Sequence, residues 1–482
     1  MNKLLTTRIA VKAAVATTAC ICTTIAALTP TDAATFRVIN NTVDAPDKNP
    51  GDGVCEAIFF GCTLRAAIQE SNAFSGRDVI EIIPGIFELM HSGLAITDSV
   101  GITGAGADAT IIDGNNSLFT SLLINNDADT NPIVNIFGVT IRNFNRGAIL
   151  VDEGTSLSLS NSLVTENEFI TGGVIQNEGF LQVSNSTISN NRGGARGGGF
   201  ANIGTLKLLK STVSGNTSRI GAGIQNFSSG RLEVVNSTIS GNTAEVSGGG
   251  ILNIGNASIA YSTITHNTAN GSNEDFEATA VGGGIHNIRG GRVQIGNTIL
   301  AGNTDNRQNP FDPNYSPDCF STARSRFTSF RGNLVGTANS NCNIRDTIFG
   351  DTRFDQVGTT DDPIDIDTLL APLDNNGGTA LFITPPKTHA LLPGSLAIDK
   401  GDGITSARFF DCPSTDQRGA PRPFDGNGDG NAICDVGAFE FGAQIPTQDE
   451  PPASVPEPTS IFVLLGLGAL SVGSTLKQKQ HL

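Results

Sequence analysis

The central part of this chain, residues 161–304, is a sequence repeat. A phrase of seven residues has Ser-Thr at its second and third positions and Asn at its last, and it recurs at residues 185–191, 210–216, 236–242 and 261–267. An apolar residue at the same place in each copy recurs every 24 to 26 residues, at Val164, Ile188, Val213, Ile239 and Ile264. A fixed period of this size is typical of a solenoid, in which each repeat stacks on the next.

The repeating unit is made of strands rather than helices. Its apolar residues are rich in β-branched types, alternate with polar residues over short stretches, and are separated by Gly and Asn. Each unit therefore predicts three short strands, and each strand pairs with its copy about 4.8 Å away in the next coil. We predict an all-β fold, a right-handed parallel β-helix, taking the handedness from what is usual for such repeats. Asn216, Asn242 and Asn267 are expected to stack at a turn, because Asn tolerates left-handed backbone and its amide can bond its neighbours.

The two ends of the predicted solenoid need covering, because a terminal coil exposes unpaired strands and apolar core. Leu64, Ala67 and Ile68 follow helical spacing after Thr63, a suitable N-cap residue, so we expect a short capping helix at the N-terminal end. The C-terminal end is followed by a segment rich in Gly and Pro with its own cysteines, which predicts a second cap.

Both ends also resemble known families. Gly51-Asp-Gly-Val-Cys55 followed by Cys62-Thr-Leu-Arg-Ala-Ala resembles the CSLREA domain, although Thr63 stands for its Ser and Ala66 for its Glu. The phrases at residues 373–379, 391–399, 416–419 and 434–440 are together similar to the choice-of-anchor Q domain. The repeat pattern predicts β-helix repeats at 91–304 and an irregular Cys-containing segment at 305–365, and the resemblances imply an N-terminal cap at 35–90 and a C-terminal cap at 366–442.

The remaining segments predict export. Residues 1–34 read as a signal peptide, with basic residues before an apolar run and small residues after it. Residues 443–458 form a Pro-rich linker, and 459–482 resemble the PEP-CTERM sorting signal, whose motif is Pro456, Glu457 and Pro458. The resemblance implies export and sorting machinery as partners, contact with a membrane before processing, and a place on the cell surface, outer envelope or matrix of a Gram-negative-type bacterium. A plain transmembrane anchor at 461–476 is the alternative.

Six cysteines remain once the predicted signal peptide and its Cys20 and Cys22 are removed. An even number in an exported chain predicts disulfides, and six cysteines allow fifteen pairings. Pairing of neighbours is favoured because the segments between the pairs are stiff, and zinc binding, the alternative, lacks a Cys-x-x-Cys spacing. The six are Cys55, Cys62, Cys319, Cys342, Cys412 and Cys434.

A calcium site is predicted at residues 425–430. Asp425, Asn427 and Asp429 alternate along the chain and precede Gly430, which is the opening pattern of a calcium loop. The twelfth position is Val436 rather than Glu, so Asp435 or Glu440 is expected to complete the ligand shell. The alternative is an acidic turn without metal.

The sequence favours a non-catalytic function. The formal net charge of −16 argues against nucleic-acid binding. No two carboxylates occupy the same place in neighbouring repeats, as a polysaccharide hydrolase would need, so we predict no catalytic residue. His266, His286, Lys207 and Lys210 read as solvated surface residues.

We therefore predict an exported surface or matrix protein with a structural or adhesive role. A polysaccharide lyase or hydrolase is one alternative, and Asn303-Thr-Asp305 resembles a fragment of a polygalacturonase motif. A carbohydrate-binding module is the other, although the chain has two Tyr and no Trp to serve as aromatic platforms.

Overall fold

A computed structural model of the chain describes residues 33–445, apart from gaps at 40–41, 75, 120, 127–129, 272–281, 307–314, 343, 345–354, 379–384 and 403–407. The predicted sorting motif Pro456, Glu457 and Pro458 and nearly all of the signal peptide lie outside the described residues. None of the helices in the described part of the chain is long and apolar enough to span a membrane. The predicted span at 461–476 lies outside the described residues.

The chain forms a right-handed parallel β-helix of about ten coils, as predicted. Three long sheets run its length. The first contains Thr35–Val38, Asp78–Ile82, Val100–Thr103, Ile133–Phe137, Ser156–Ser160, Phe180–Ser184, Thr205–Leu209, Arg231–Val235, Asn256–Ala260, Arg292–Gly296 and Arg326–Ser329. The second contains Leu94–Ile96, Leu122–Ile124, Ile149–Val151, Ile175–Asn177, Phe200–Asn202, Ile224–Asn226, Ile251–Asn253, Ile285–Asn287 and Cys319–Ser321. The third contains Gly85–Glu88, Thr110–Ser117, Thr140–Phe144, Leu163–Thr165, Thr187–Ser189, Thr212–Ser214, Thr238–Ser240, Thr263–Thr265, Ile299–Leu300, Leu334–Val335 and Gln356–Val357.

A fourth, shorter sheet was not predicted, since the sequence indicated three strands per coil. It lies between the third and second sheets and contains Glu168–Phe169, Arg192–Gly193, Thr217–Ile220, Thr243–Ser247, Thr268–Ala269 and Thr304–Asp305. The Gly-rich phrases connect it to the second sheet. A Cβ atom at Gly223 or Gly250 would collide with a backbone oxygen of the following coil, so only Gly lets successive coils approach this closely.

The core of the β-helix is built from inward-facing ladders of aliphatic side chains. Ile188 pairs in register with Val213, Val213 with Ile239, and Ile239 with Ile264. All four side chains have 0% exposure. The predicted inward positions of these residues are therefore confirmed.

The asparagines form two buried amide ladders. In the first, each Asn side chain donates to the Oδ1 atom of the next, through Asn167, Asn191, Asn216, Asn242, Asn267 and Asn303. The second runs through Asn177, Asn202, Asn226, Asn253 and Asn287. The predicted amide bonding is confirmed, but the left-handed backbone falls on the preceding residue, such as Gly215 (φ 64°) or His266 (φ 55°).

Asp318 ends the first ladder. Its Oδ1 atom accepts hydrogen bonds from the backbone and side-chain nitrogens of Asn303, and its Oδ2 atom accepts from the backbone N–H of Thr337. A carboxyl group suits this position because its two oxygens can accept these hydrogen bonds. Burial raises the pKa of Asp318 to about 7.

Stability is expected to fall as the pH rises past the pKa of Asp318. The pKa in the fold lies above the ordinary aspartate value of 3.8, so the favourable contribution is complete below pH 4 and lost through about pH 7. The loss is at most about 4 kcal/mol, at ~1.4 kcal/mol per pKa unit. Calorimetry of the wild type and Asp318→Asn at pH 5 and pH 8 should show the larger fall in melting temperature for the wild type. Equal falls would contradict this role of Asp318.

The N-terminal end is closed as predicted by the helix Leu64–Ala73. Thr63 is its N-cap, accepting a hydrogen bond from the backbone N–H of Ala66, and Leu64, Ala67 and Ile68 pack into the core of the first coils. The predicted neighbour pairing of the cysteines is also confirmed, with disulfides Cys55–Cys62, Cys319–Cys342 and Cys412–Cys434.

Residues 366–442, predicted as a Cys-stapled cap over the C-terminal end, contain the Cys412–Cys434 disulfide but do not cover that end. At the C-terminal end, the core of the coils closes on Cys319, Phe327 and Cys342. Residues 366–442 instead pack against the outer side of the third sheet, in separate clusters around Ile299 and Tyr261. We call residues 366–442 the side cover. It contains the two-stranded hairpin Leu370–Asp374 with Thr388–Leu391, and the 3-10 helices Ile366–Thr368 and Arg408–Phe410.

Candidate functional site

A row of hydrogen bonds fixes the side cover to the third sheet. Outward-facing ammonium, hydroxyl and amide groups of successive coils form hydrogen bonds with the cover, at 2.6–3.1 Å. The pairs are Lys210 with Thr415, Thr212 with Lys387, Asn236 with Thr415, Thr238 with Gln417, Ser240 with His389, and Thr263 with Ala438. These contacts join residues that are 149 to 205 positions apart in the sequence.

 Lys210 was predicted to be solvated, but its ammonium group is bound to Thr415 of the cover and is half-buried. Burial lowers the pKa of this ammonium group.

A buried ionic network holds the side cover together. Arg422 pairs with Glu440 at 2.9 Å, and both side chains have 0% exposure. Arg418 pairs with Asp416 at 2.7 Å, and its guanidinium lies 3.5 Å from the centre of the Phe439 ring. These are the residues on which the choice-of-anchor Q resemblance rests, and the structure gives them a packing role inside the cover.

A groove of about 790 Å³ lies between the side cover and the third sheet, and we call it the cover groove. One wall consists of the outer faces of successive coils, and the other of the cover hairpin and the segments beside it. The coil wall contains Ala107, Asn161, Ser162, Leu163, Thr187, Ser189, Asn190, Thr212, Ser214, Gly215, Ser240, Gly241 and His266. The cover wall contains Asp367, Leu370, Pro372, Leu373, Pro385, Lys387 and His389.

Two histidines meet in the cover groove. The rings of His266 and His389 stack with their centres 5.3 Å apart, and the Nε2 atom of His266 lies 3.5 Å from Asp367. His266 was predicted to be a solvated residue at a turn. The turn is confirmed by its left-handed backbone, but its side chain lies in the groove and is 42% exposed.

His389 links the side cover to Ser240. Its Nδ1 atom lies 2.8 Å from the carbonyl oxygen of Ala371, which can only accept, so Nδ1 carries the proton. Its Nε2 atom therefore accepts from the Ser240 hydroxyl at 2.8 Å. Burial lowers the pKa of His389 to about 4, which keeps the ring neutral at pH 7. This serine and histidine have the atoms of a nucleophile and base, but they belong to the row of docking bonds and are both almost fully buried.

The carboxylates of the described chain do not converge in the cover groove. Asp367 is the one acid among the described lining residues. Asp305, from the polygalacturonase-like fragment, is buried in the fourth sheet beside Ala269, and Asn303 of the same fragment belongs to the amide ladder. The Asn303-Thr-Asp305 phrase is therefore part of the framework.

Two other predicted surface residues have different environments. His286 is only 4% exposed, because it lies between Leu252 and Phe320 on the second sheet, so its prediction as a solvated residue was wrong. Lys207 is partly exposed on the first sheet, where it pairs at 2.9 Å with Glu233, which also contacts Arg231.

The predicted calcium residues form a series of tight turns. The carboxylate of Asp425 accepts from the backbone N–H groups of Gly428 and Gly430, and Asn427 accepts from Asp429. No group of three or more acidic, His or Cys side chains that could hold a metal is found within the described residues.

The two acids expected to complete the calcium shell are engaged elsewhere. Asp435 and Glu440 are buried within the side cover, where they accept backbone hydrogen bonds. Burial raises the pKa of Asp435 to about 6. The calcium site stays a prediction that depends on the exposed turn alone.

The match to a protein family agrees with the fold. Residues 120–305 match the family model described as a right-handed beta helix region. The chain is a right-handed parallel β-helix. It is similar to the crystal structure of pectate lyase Pel9A, with 15% identity over 85% of this chain and 98% of that chain and a TM-score of 0.42. No curated protein matches the sequence. The CSLREA, choice-of-anchor Q and PEP-CTERM resemblances stay predictions.

Proposed function

We propose that the chain is an exported, non-catalytic β-helix of the cell surface or matrix, with an adhesive role, and that it binds an extended neutral glycan in the cover groove. The observation that carries the proposal is the composition of the two groove walls. The coil wall presents hydroxyl and amide groups from successive coils, among them Thr187 and Ser189 on one coil and Ser214 on the next. The cover wall presents apolar surface from Leu373 and Pro385.

This pairing of walls suits a sugar chain. A sugar ring has hydroxyl groups at its edge and C–H groups on its faces, so it needs both hydrogen-bonding partners and apolar contact. Successive coils repeat the same hydroxyls about 4.8 Å apart, which favours a polymer over a compact molecule. Asp367 and Lys387 bring one negative and one positive charge to the described lining, a balance that favours a neutral ligand.

The same lining supports binding without cleavage. Hydrolysis of a glycosidic bond requires a pair of carboxyl groups on either side of the bond. Among the described residues of the groove walls, Asp367 provides the single carboxyl group. The neighbouring His389 is neutral and hydrogen-bonded on both nitrogens, so it is occupied in docking the side cover.

Export and sorting belong to the same proposal. Three disulfides within one chain are typical of an oxidising compartment outside the cytoplasm. The order of the sequence, with a signal peptide at 1–34 and a PEP-CTERM-like segment at 459–482, supports export and sorting machinery as partners and an outer-envelope or matrix location.

Filling the cover groove should weaken glycan binding. Ser214 lies on the coil wall, so a phenyl ring introduced by Ser214→Phe would occupy ligand space without entering the core. Ser158→Phe on the outer face of the first sheet is the matched control. Calorimetric titration with neutral oligosaccharides should give at least about a tenfold weaker affinity for Ser214→Phe, equal to ~1.4 kcal/mol, and no change for Ser158→Phe. Equal binding by both variants, or release of new sugar ends by the wild type, would contradict the proposal.

Calcium binding at the acidic turn is proposed as a stabilising feature of the side cover. Extracellular modules bind calcium at roughly 10⁻⁴–10⁻³ M, so millimolar calcium should raise the melting temperature of the wild type. The double change Asp425→Ala and Asp429→Ala should remove that rise, whereas Asp361→Ala with Asp362→Ala, at another exposed acidic pair, should keep it. A calorimetric scan of the wild type with no calcium-dependent shift would reduce residues 425–430 to a simple turn.

A further inference from the structure

The disulfide-closed loop Cys55–Cys62 presents apolar side chains to solvent at the N-terminal end of the molecule. Ile58 is 56% exposed, Phe59 is 97% exposed and Phe60 is 48% exposed, and they are consecutive in the sequence. We call these three residues the apolar tip. Phe59 has left-handed backbone, with φ 69°, which is rare for a bulky residue and costs on the order of 1 kcal/mol or more.

The loop is held in this shape by the structure around it. The Cys55–Cys62 disulfide closes its base, and the backbone N–H of Ala57 donates to the carbonyl oxygen of Gly61 at 2.7 Å. Ala57 itself is buried against Ala66 of the capping helix. Because its base is closed by the disulfide and packed on the capping helix, the loop holds the side chains of the tip in solvent.

We propose that the apolar tip inserts into the surface of a lipid bilayer. Phe59, at 97% exposure, protrudes from a turn in which the backbone N–H of Phe60 donates to the carbonyl oxygen of Ala57, and a bilayer accepts a protruding apolar element without needing a matching cavity. Aromatic and aliphatic side chains that project from one turn also contain no polar atom that would have to be desolvated on insertion.

A second copy of the chain fits the tip less well. With the exposed fractions above and about 150–250 Å² for each aromatic side chain, one tip offers roughly 400 Å² of apolar surface. Two tips packed together would bury roughly 800 Å², which is below the size of a stable protein interface. A sugar ring is also a poorer match, since it needs hydrogen-bonding groups beside the aromatic ring and the tip presents only Ile58 and Phe60 there.

The charges beside the tip select the kind of lipid. Asp52 and Glu56 are exposed on the same loop region and Lys48 is the exposed cation nearby, within a chain of formal charge −16. Negative lipids would repel such a surface, so the structure favours a zwitterionic bilayer. The apolar area of the tip is similar to that of a single lipid anchor, so we expect reversible membrane binding. Half of the protein should be bound at about 0.1–1 mM accessible lipid.

A tryptophan at position 59 tests this directly, because the natural chain has none. In the full chain, Phe59→Trp should shift its emission to shorter wavelength with phosphatidylcholine vesicles, and brominated phosphatidylcholine should quench it. The matched control is Leu118→Trp, at a position 73% exposed on the side of the β-helix, which should show neither change. Since each signal comes from one position, membrane contact by another part of the chain does not imitate insertion of the tip.

Two further measurements complete the test. Adding Ile58→Ser and Phe60→Ser to the Phe59→Trp chain should weaken lipid binding at least tenfold, and replacing part of the phosphatidylcholine by phosphatidylserine should weaken it too. Thiol titration after denaturation without reductant shows whether the loop disulfide is intact in each variant. Emission and quenching at position 59 that do not respond to millimolar phosphatidylcholine, in a chain with the disulfide formed, would overturn the proposal.

Discussion

Ile239→Asp is expected to prevent the chain from folding into a stable β-helix. Ile239 is fully buried in register between Val213 and Ile264, so the new carboxylate would have no water and no cation near it. The loss of the aliphatic side chain and the burial of an unpaired charge together should cost on the order of 5 kcal/mol or more. Soluble yield and the midpoint of urea unfolding measure the effect.

A matched control separates burial from added charge. Ser158→Asp places the same carboxylate on the outer face of the first sheet, where the side chain reaches water, and should change stability by less than about 0.5 kcal/mol. Ile239→Val, which removes one methylene group, should cost only about 0.5–1.5 kcal/mol. Similar unfolding midpoints for Ile239→Asp and Ser158→Asp would show that residue 239 does not face the core.

Asn242→Leu is expected to be nearly as damaging although it makes the core more apolar. The Oδ1 atom of Asn242 accepts from the backbone and side chain of Asn216, and its amide group donates to Asn267 and to the carbonyl oxygen of Val213. Leucine replaces none of these bonds, so buried polar groups on both neighbouring coils would lose a partner. At about 1–3 kcal/mol for each buried group left unsatisfied, the expected loss is about 3–6 kcal/mol.

The control for the ladder is Asn135→Leu, on the exposed face of the first sheet. It makes the same chemical change without breaking a ladder and should leave the unfolding midpoint nearly unchanged. If Asn242→Leu proved as stable as Asn135→Leu, the buried amide ladder would not be a significant source of stability.

The sequence predicted the parts of the fold that repeat. A period of 24 to 26 residues fixes which side chain stacks on which, so Ile188, Val213 and Ile239 could be placed inward without a structure. The disulfides were predictable because each links neighbours in the sequence. The fourth sheet was missed because four of its six strands are only two residues long and are too short to show an alternating pattern.

The cover groove could not be predicted, because one of its walls does not belong to the repeat. The docking bonds join residues far apart in sequence, such as Ser240 with His389 and Lys210 with Thr415, and no local pattern encodes such a pairing. For the same reason His266 and Lys210 looked like ordinary surface residues. The outward Thr of the repeated Ser-Thr phrase was the one available signal, since a row of identical polar groups can bind a partner along its length.

The most direct test of the proposed function is a crystal structure of the chain with a neutral oligosaccharide that it binds. We predict an intact sugar chain in the cover groove, with its hydroxyl groups bonded to Ser189 and Ser214 and its apolar faces against Leu373 and Pro385. A sugar bound to another face of the β-helix, or a cleaved sugar in the groove, would contradict the account.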